Sequence, residues 1–295
     1  MSAQRAACLA STAKVHGAHM EAQRGGDFHA TSQGVFETWG QGVSAGALPP
    51  PALILDVGAN IGQSGVKFLT TFPPPLVVHS FELSQRTFGD LNRTMHAHNL
   101  SHRWVLHNLG VSSAPGSAAF SEPQPGPNGE VAHQTATLGE HTQLRLAHAS
   151  VTARITTVAL ILEELQAGGQ LAAAGGEVHL LKIDVEGYEG DVLLGAQLEV
   201  NARRIRAIFF EWASTWSDSR AGPATLPILE LKGRLDAVGF ECFIAGDADL
   251  ASFGHPLPDV QGYGPNVLCL RRDTEEARYL LTQHRKHLTH CPWWE

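Results

Sequence analysis

Short apolar runs alternate with segments of helical periodicity along most of the chain, and this alternation constrains the fold more than any other feature. The runs LILDV, LVVHSFEL and WVLHNLGVSS are separated by residues 63–70 and 84–99, whose apolar positions recur at helical spacing. A second series runs from VHLLKIDV through GDVLLGAQLEVN and RAIFFEW to LPILELKGRLDAVG. Strands that alternate with helices form parallel sheets covered on both faces. The sequence therefore predicts an α/β fold.

The last two strand candidates, FECFIA and NVLCLRR, are joined by a loop that contains no long helix. Such a connection favours an antiparallel pair. We expect a sheet of about seven strands, mostly parallel, with a closing antiparallel strand and helices on both faces. Cys242 and Cys269 lie in these two runs and are expected to be buried core thiols. None of the four cysteines forms a C-x-x-C pair, and so few cysteines do not indicate a disulfide scaffold.

The chain divides into a leader and one domain. Residues 1–50 are polar and rich in Gly and Ala, and they end in LPPPA, so they are predicted to be an N-terminal leader segment. The domain is expected over residues 51–295, within the size range of one large domain. Residues 114–150 interrupt the alternation with a Pro/Gly/His-rich insertion, and residues 274–295 are predicted to be a C-terminal helix and tail.

Charge and hydropathy exclude several classes of protein. The 21 basic and 29 acidic residues give a net charge of -8, which argues against binding to nucleic acid or to anionic membranes. No apolar run approaches the roughly 20 residues that span a bilayer. The first twenty residues contain Arg5 and Lys14 but no acid, so an organellar targeting segment is an alternative to a disordered tail. The default expectation is a cytoplasmic protein.

The stretch DVGANIG stands where the first strand meets the first helix, a position typical of nucleoside-cofactor turns. Glycines there let the backbone approach a ligand, and the following helix offers free N–H groups. Glu82 stands twenty residues after Gly62, where an acid accepts hydrogen bonds from ribose hydroxyls. In the alternative interpretation the glycines only permit tight packing and Glu82 is solvated. The candidate cofactor-binding residues are Asp56, Gly58, Ala59, Asn60, Gly62, Glu82, Leu83 and Asn108.

The spacing of this turn favours one class of cofactor. The chain has G-x-N-x-G and lacks the G-x-G-x-x-G of dinucleotide-binding turns. A cofactor with one nucleoside and no pyrophosphate, such as S-adenosylmethionine, needs less backbone around it. Its ribose would meet Glu82, and its amino-acid end would lie against the turn. The alternatives are an NAD-dependent oxidoreductase and a catalytically silent cofactor-binding interaction module.

Three carboxylates crowd the stretch LLKIDVEGYEG at the end of a buried strand candidate. Ligands of open α/β sheets bind outside the carboxyl ends of the strands, so Asp184 and Glu186 are the candidate catalytic residues. A carboxylate whose pKa is raised by its neighbours could take the proton that a hydroxyl loses on methylation. Glu189 is expected to start the next helix, and Lys182 to pair with one of the acids. No metal site is predicted; Mg²⁺ or Mn²⁺ held by these acids with Glu211 is the alternative.

Several motifs together resemble a known family. LILDVGANIGQSG, SFELS, NLGVSS, TTVALILEEL and LKIDVEGYEGDVLLGA, followed by IFFEW, occur in the order seen in FkbM-type S-adenosylmethionine-dependent methyltransferases. The resemblance covers roughly residues 52–272. It implies the class I methyltransferase (Rossmann-like) fold, S-adenosylmethionine as cofactor, and methyl transfer to an oxygen of a sugar, polyketide or similar small-molecule or glycan acceptor.

This chain departs from the family pattern at two places. The family commonly has Pro after the ribose-binding acid, where this chain has Leu83 and Ser84. Residues 114–150 contain no motif that aligns with the family, and we expect them on the acceptor side of the site. The acceptor and the oligomeric state are therefore not predicted.

Overall fold

The computed structural model describes residues 30–123, 137–138, 148–197, 201–212, 228–245, 250–252 and 266–284. The helices within these residues are α1 (Ala30–Ser44), α2 (Gln63–Thr71), α3 (Gln85–Ala97), α4 (Val158–Ala167), α5 (Gln170–Ala173), α6 (Glu189–Gly195), α7 (Ile228–Ala237) and α8 (Glu275–Gln283). The strands are β1 (Leu53–Val57), β2 (Val77–Phe81), β3 (Trp104–His107), β4 (Gly110–Val111), β5 (Gly116–Pro123), β6 (Thr137–Leu138), β7 (His148–Thr156), β8 (Leu180–Ile183), β9 (Ala207–Glu211), β10 (Phe240–Ala245), β11 (Leu250–Ser252) and β12 (Asn266–Arg271).

The main sheet has the strand order β11-β10-β12-β9-β8-β1-β2-β3. Strands β9, β8, β1, β2 and β3 are parallel, whereas β12 runs antiparallel to β9 and β10 on either side of it. This confirms the α/β fold with a mostly parallel sheet and a closing antiparallel strand, and the short β11 adds an eighth strand at one edge. The chain proceeds in one direction from β1 and in the other from β8, so the switch point lies between these two strands.

The two faces of the sheet carry separate cores because side chains alternate along each strand. Leu53 and Leu55 belong to the core that packs against α4, α6 and α7. Ile54, between them, belongs to the core that includes side chains of α1, α2, α3 and α8. Ser84 caps α3, because its side chain accepts a hydrogen bond from the Thr87 N–H at 3.2 Å. Helices therefore cover both faces and leave the strand ends to form a site.

Helix α1 lies within the segment that the sequence placed in the polar leader. Val35 and Trp39 of this helix are fully buried, and Phe36 packs edge-on against Phe68 and Phe209. The apolar positions have helical spacing, but the Gly, Gln and Ser residues between them hide it. The buried side chains of residues 35–43 thus belong to the core, where the sequence predicted a polar leader, and residues 1–29 lie outside the described residues.

A second, smaller sheet has the order β4-β7-β5-β6. The third strand candidate, WVLHNLGVSS, is divided between the two sheets, since β3 belongs to the main sheet and β4 to this one. Strands β5 and β7 pair antiparallel over the ends of the predicted insertion, 114–150. Residues 124–136 and 139–147 of that insertion lie outside the described residues.

Cys242 of β10 and Cys269 of β12 are register partners and form a disulfide, with Cα atoms 3.9 Å apart. Both residues are buried, as expected, but the expectation of free thiols was wrong. Their separation of 27 residues does not reveal that the antiparallel register places them opposite each other. None of the described helices has the length and apolar character needed to cross a membrane.

Candidate active site

The turn after β1 fits closely against the loop after β8. The N–H groups of Gly58 and Ala59 both donate to the Phe81 carbonyl at 3.0 Å. Gly58 has a φ of 75°, and a Cβ there would lie 1.7 Å from the Asp184 carbonyl oxygen. A Cβ at Gly62, where φ is 96°, would meet the Trp104 ring at 2.7 Å. Tight packing therefore requires both glycines, whether or not a ligand also approaches the turn.

Glu82 follows β2 and lies against this turn, as the sequence predicted. One carboxylate oxygen accepts the Asn60 N–H at 3.0 Å, and the other accepts the Ser84 N–H at 2.9 Å. The residue is only 7% exposed, and burial raises its pKa to about 7 although the two N–H groups oppose the shift. Each oxygen keeps a lone pair that could accept a hydroxyl donor.

Asn108 follows β3 and joins the same group of residues. Its side-chain amide donates to the carbonyls of Glu82, at 2.9 Å, and Leu83, at 3.2 Å. These bonds fix the backbone that carries the Glu82 carboxylate. The structure thus brings together Ala59, Asn60, Glu82, Leu83 and Asn108, although their contact with a cofactor stays a prediction.

Both carboxylate oxygens of Asp56 contact other side chains of the protein. The residue is fully buried, and one carboxylate oxygen accepts the Ser80 hydroxyl at 3.0 Å. Ser80 in turn accepts the indole N–H of Trp104 at 2.8 Å. The other Asp56 oxygen lies 3.2 Å from the Lys182 ammonium. This geometry gives Asp56 the role of anchoring Lys182, and a direct cofactor contact stays a prediction.

Lys182 connects the two loops of the site. Its ammonium donates to the Gly58 carbonyl at 2.9 Å and lies 3.5 Å from an Asp184 oxygen. Burial alone would lower its pKa, but Asp56 and Asp184 more than offset burial, so the pKa lies above its ordinary value. Lys182 is therefore charged, and the expected pairing with one of the acids is confirmed.

The loop after β8 carries two half-buried carboxyl groups, those of Asp184 and Glu186, and its backbone donates hydrogen bonds to a third, that of Glu189. Glu189 is fully buried and accepts the Val185 and Gly187 N–H groups at 3.0 and 3.1 Å, so it starts α6 as predicted. Glu186 has a φ of 56°, in the left-handed region. Burial, then the charges of Asp184 and Glu189, raise the pKa of Glu186 to about 8. The Asp184 side chain is 30% exposed.

Glu211 ends β9, beside the end of β8, and the sequence suggested it only as an alternative metal ligand. The residue is 3% exposed, and neither carboxylate oxygen has a hydrogen-bond partner among the described residues. Burial, then the charges of Asp184, Glu189 and Glu186, raise its pKa well above the ordinary value. Across the described parts of the chain, no three His, Cys, Asp or Glu side chains are arranged to hold a metal ion.

The position of Glu211 carried a signal that could have identified it. It ends an apolar run that follows VHLLKIDV with a single crossover, so a parallel neighbour of β8 was expected there. The carboxyl ends of neighbouring parallel strands lie at the same edge of a sheet. The sequence could not show that its carboxyl group would be enclosed without a partner.

Comparison with known proteins agrees with the motifs. The model of the methyltransferase FkbM domain matches residues 56–241, which is more than half of the chain. Among solved structures, methyltransferase FkbM from Methylobacillus flagellatus KT is 12% identical, with a TM-score of 0.43. That match covers 74% of this chain but only 43% of the other, so this chain spans less than half of that protein's length.

Two further solved structures are similar over most of their length. An O-methyltransferase from Bacillus cereus, solved in complex with SAH, is 10% identical, with 81% of this chain and 80% of that chain covered and a TM-score of 0.41. The O-methyltransferase TomG from Streptomyces achromogenes, solved in complex with SAM, is 11% identical, with coverage of 88% and 89% and a TM-score of 0.42. No match is found among curated proteins.

The domain match begins at Asp56, near the end of β1, and extends through the loop after β8 and through β9 into β10. It therefore contains every candidate site residue described above. The chain belongs to the FkbM family of S-adenosylmethionine-dependent methyltransferases.

Proposed function

We propose that this protein transfers the methyl group of S-adenosylmethionine to a hydroxyl oxygen of a sugar or another small hydroxylated acceptor. The observation that carries the proposal is Glu186, a half-buried carboxyl group whose pKa is raised to about 8 at the end of β8. Methylation of a hydroxyl requires removal of its proton. A positioned group with a pKa near the working pH is the most effective proton acceptor.

The residues of the β1 turn and of β2 fit the cofactor. Glu82 has lone pairs left after its bonds to Asn60 and Ser84, and these suit the two hydroxyls of a ribose. The side-chain oxygen of Asn60 is buried without a hydrogen-bond partner among the described residues and is free to accept a ligand N–H. We assign Glu82 to the ribose and the turn that contains Asn60 to the amino-acid end of the cofactor.

The acids after β8 supply the chemistry. When bound, S-adenosylmethionine supplies a methyl group activated by the sulfonium charge. Glu186 takes the hydroxyl proton on a carboxylate oxygen. Asp184, which Lys182 holds at 3.5 Å, accepts a hydrogen bond from the acceptor and orients it. Alignment of the reacting atoms contributes much of the rate in such reactions.

Membership in a methyltransferase family argues against the NAD-dependent oxidoreductase that the sequence left open. The raised pKa of Glu186 argues against a silent binding module, since perturbed titratable groups cluster at functional sites. Neither alternative is favoured by a specific observation of the described residues.

The proposal is tested by methyl transfer from labelled S-adenosylmethionine to a panel of sugars and polyols. Glu186→Gln should bind the cofactor and lose methyl transfer by about 10²–10⁴-fold, the range for a positioned proton acceptor. Glu163→Gln, an exposed position on α4, is the control and should keep full activity. Wild-type rates in Glu186→Gln would remove this residue from the mechanism.

The pH dependence of the same assay gives an independent check. Glu186 must be ionised to accept a proton, so kcat/KM for S-adenosylmethionine should rise with pH and level off above about 8. The profile of kcat/KM reports the ionisation of the free enzyme. A kcat/KM for S-adenosylmethionine that is flat between about pH 6 and pH 9 would contradict the assignment of Glu186 as the proton acceptor.

A further inference from the structure

The carboxyl ends of β8 and β9 carry more carboxyl groups than the described basic side chains near them can balance in charge. Asp184, Glu186 and Glu211 lie at this edge, and Glu189 lies behind them at the start of α6. The described cation that faces them is Lys182, which already contacts Asp56 and Asp184. If all of these carboxyl groups were ionised, the edge would hold a large uncompensated negative charge.

Among the buried acids at this edge, Glu211 has the fewest compensating contacts with the described part of the protein. Both of its carboxylate oxygens are buried and lack a hydrogen-bond partner among the described residues, whereas Glu189 receives backbone N–H bonds. On β12, the residue opposite Glu211 is the neutral Asn266. A buried polar group left without a partner destabilises a protein, so such groups in native folds call for an explanation.

We infer that Glu186 and Glu211 form a proton-exchanging pair that senses the charge of the cofactor: the pair releases a proton to solvent when S-adenosylmethionine binds and keeps it when S-adenosylhomocysteine binds. This inference rests on the proposed function, because it places the methyl-bearing sulfur at the acid edge. The two ligands share their ribose, base and amino-acid groups and differ by one methyl group and the positive charge on sulfur. A positive charge near a carboxyl group favours its ionised form.

The charged groups that face the pair explain why it holds protons in the empty protein. Burial is the main cause for both residues, and Asp184 and Glu189 add to it, while Lys182 opposes it. A sulfonium ion would reverse this balance. Methyl transfer then removes the sulfonium charge and releases one proton from the acceptor hydroxyl. If that proton returns to the pair, the net charge of the site is the same before and after the reaction.

The inference can be tested without knowing the acceptor. Calorimetric titration of the whole protein with each ligand, in phosphate and in Tris buffer, measures the protons released on binding. At about pH 7, S-adenosylmethionine should release about one proton more than S-adenosylhomocysteine. Its affinity relative to the product should rise with pH, by at most tenfold per pH unit for each proton released.

Three variants locate the source of the protons. Glu186→Gln and Glu211→Gln should each reduce the difference in proton release between the two ligands. Glu276→Gln is the matched control, because Glu276 is also a buried glutamate with a raised pKa but pairs with Arg206 at the other end of β9. Glu276→Gln should keep the wild-type difference in proton release between the two ligands. The amino groups of the ligands titrate in every variant, so comparison with the wild type isolates the pair.

The outcomes separate this inference from the proposed function. Equal proton release for both ligands, or an unchanged difference in both site variants, would overturn the charge-sensing pair while leaving methyl transfer intact. Failure of the wild type to bind either ligand would overturn both. Proton release that differs between the ligands, in a protein that methylates no hydroxylated acceptor, would support the pair and contradict the acceptor class.

Discussion

The acidic residues at the two ends of strand β9 differ in whether a basic side chain forms an ion pair with them. At the amino-terminal end, Arg206 lies 2.9 Å from Glu276, and Arg271 lies 2.5 Å from Glu177. Each of these acids therefore has a guanidinium group against it. At the carboxyl-terminal end, Glu211 is about as deeply buried as Glu276, and the carboxylate oxygens of both residues lack a hydrogen-bond partner among the described residues. The difference is that Glu276 forms an ion pair with Arg206, whereas Glu211 has no ion pair within the described parts of the chain.

This difference distinguishes an acid that stabilises the fold, Glu276, from an acid that belongs to the candidate site, Glu211. A buried carboxylate beside a guanidinium group holds neighbouring elements in place, here α8 against the start of β9. A buried carboxyl group without a partner lowers the free energy of unfolding when it ionises. We therefore expect Arg206→Leu at the amino-terminal end and Glu211→Gln at the carboxyl-terminal end to change stability with opposite signs.

The largest effect is expected where the β1 turn meets the loop after β8. Gly58→Ala places a Cβ 1.7 Å from the Asp184 carbonyl oxygen and cannot be relieved by rotating a side chain. We expect the free energy of unfolding to fall by more than about 4 kcal/mol, at the extreme of single substitutions. Urea unfolding, or the yield of folded protein where unfolding is complete, measures this loss.

Gly46→Ala is the control for Gly58→Ala. Gly46 has nearly the same backbone conformation, with φ of 72° against 75° at Gly58, but nothing lies within 4 Å of its Cβ position. The left-handed conformation alone should cost about 1–2 kcal/mol. Equal losses in the two variants would show that the two loops separate at no further cost and that their close contact does not contribute to stability.

The next effect concerns the amino-terminal end. Arg206→Leu leaves the buried Glu276 carboxylate without its partner, and such a change costs about 3 kcal/mol or more. Burial raises the pKa of Glu276, so the loss should shrink at about pH 5, where the carboxyl group can hold a proton. Urea unfolding at the two pH values measures both quantities.

Arg272→Leu supplies the comparison for Arg206→Leu. The Arg272 side chain is 52% exposed and lies 3.5 Å from Asp236 and 3.8 Å from Glu241. Exposed pairs of this kind contribute under about 1 kcal/mol. If the two arginine variants lose the same stability, burial of Glu276 does not make its pair important and the contrast between the ends fails.

The smallest effect should have the opposite sign. Folding raises the pKa of Glu211, so the folded chain holds this proton more tightly than the unfolded chain, and stability falls as pH rises above the ordinary glutamate value. Glu211→Gln removes that loss. It should stabilise the protein by about 1–2 kcal/mol at about pH 8 and change little at about pH 5. A destabilised variant at the higher pH would show that the ionised carboxylate has a partner.

Local patterns in the sequence were sufficient to predict much of the fold and several contacts between residues at the strand ends. Ser84 caps α3, Glu189 starts α6, and Lys182 pairs with Asp184. Each of these contacts joins residues only a few positions apart. The pairing of the β1 turn with Glu82 was also predictable, because consecutive strands of a parallel sheet end at one edge.

The features that the sequence did not reveal depend on distant packing. The core position of α1 depends on contacts such as that between Phe36 and Phe209. The disulfide depends on the register between β10 and β12. The unpartnered state of Glu211 depends on which groups surround it in three dimensions. No periodicity or spacing encodes these relationships.

The contact between Gly58 and the Asp184 carbonyl also limits how this chain can recombine with its relatives. The two residues stand in different motifs, yet Lys182 bonds to the Gly58 carbonyl and faces Asp184. A chimera that takes the β1 turn from one relative and β8 from another combines two loops that are not shaped to fit each other. Exchanging both motifs as a pair should preserve a working site, whereas a crossover between them should produce folded sheets with a misplaced acid.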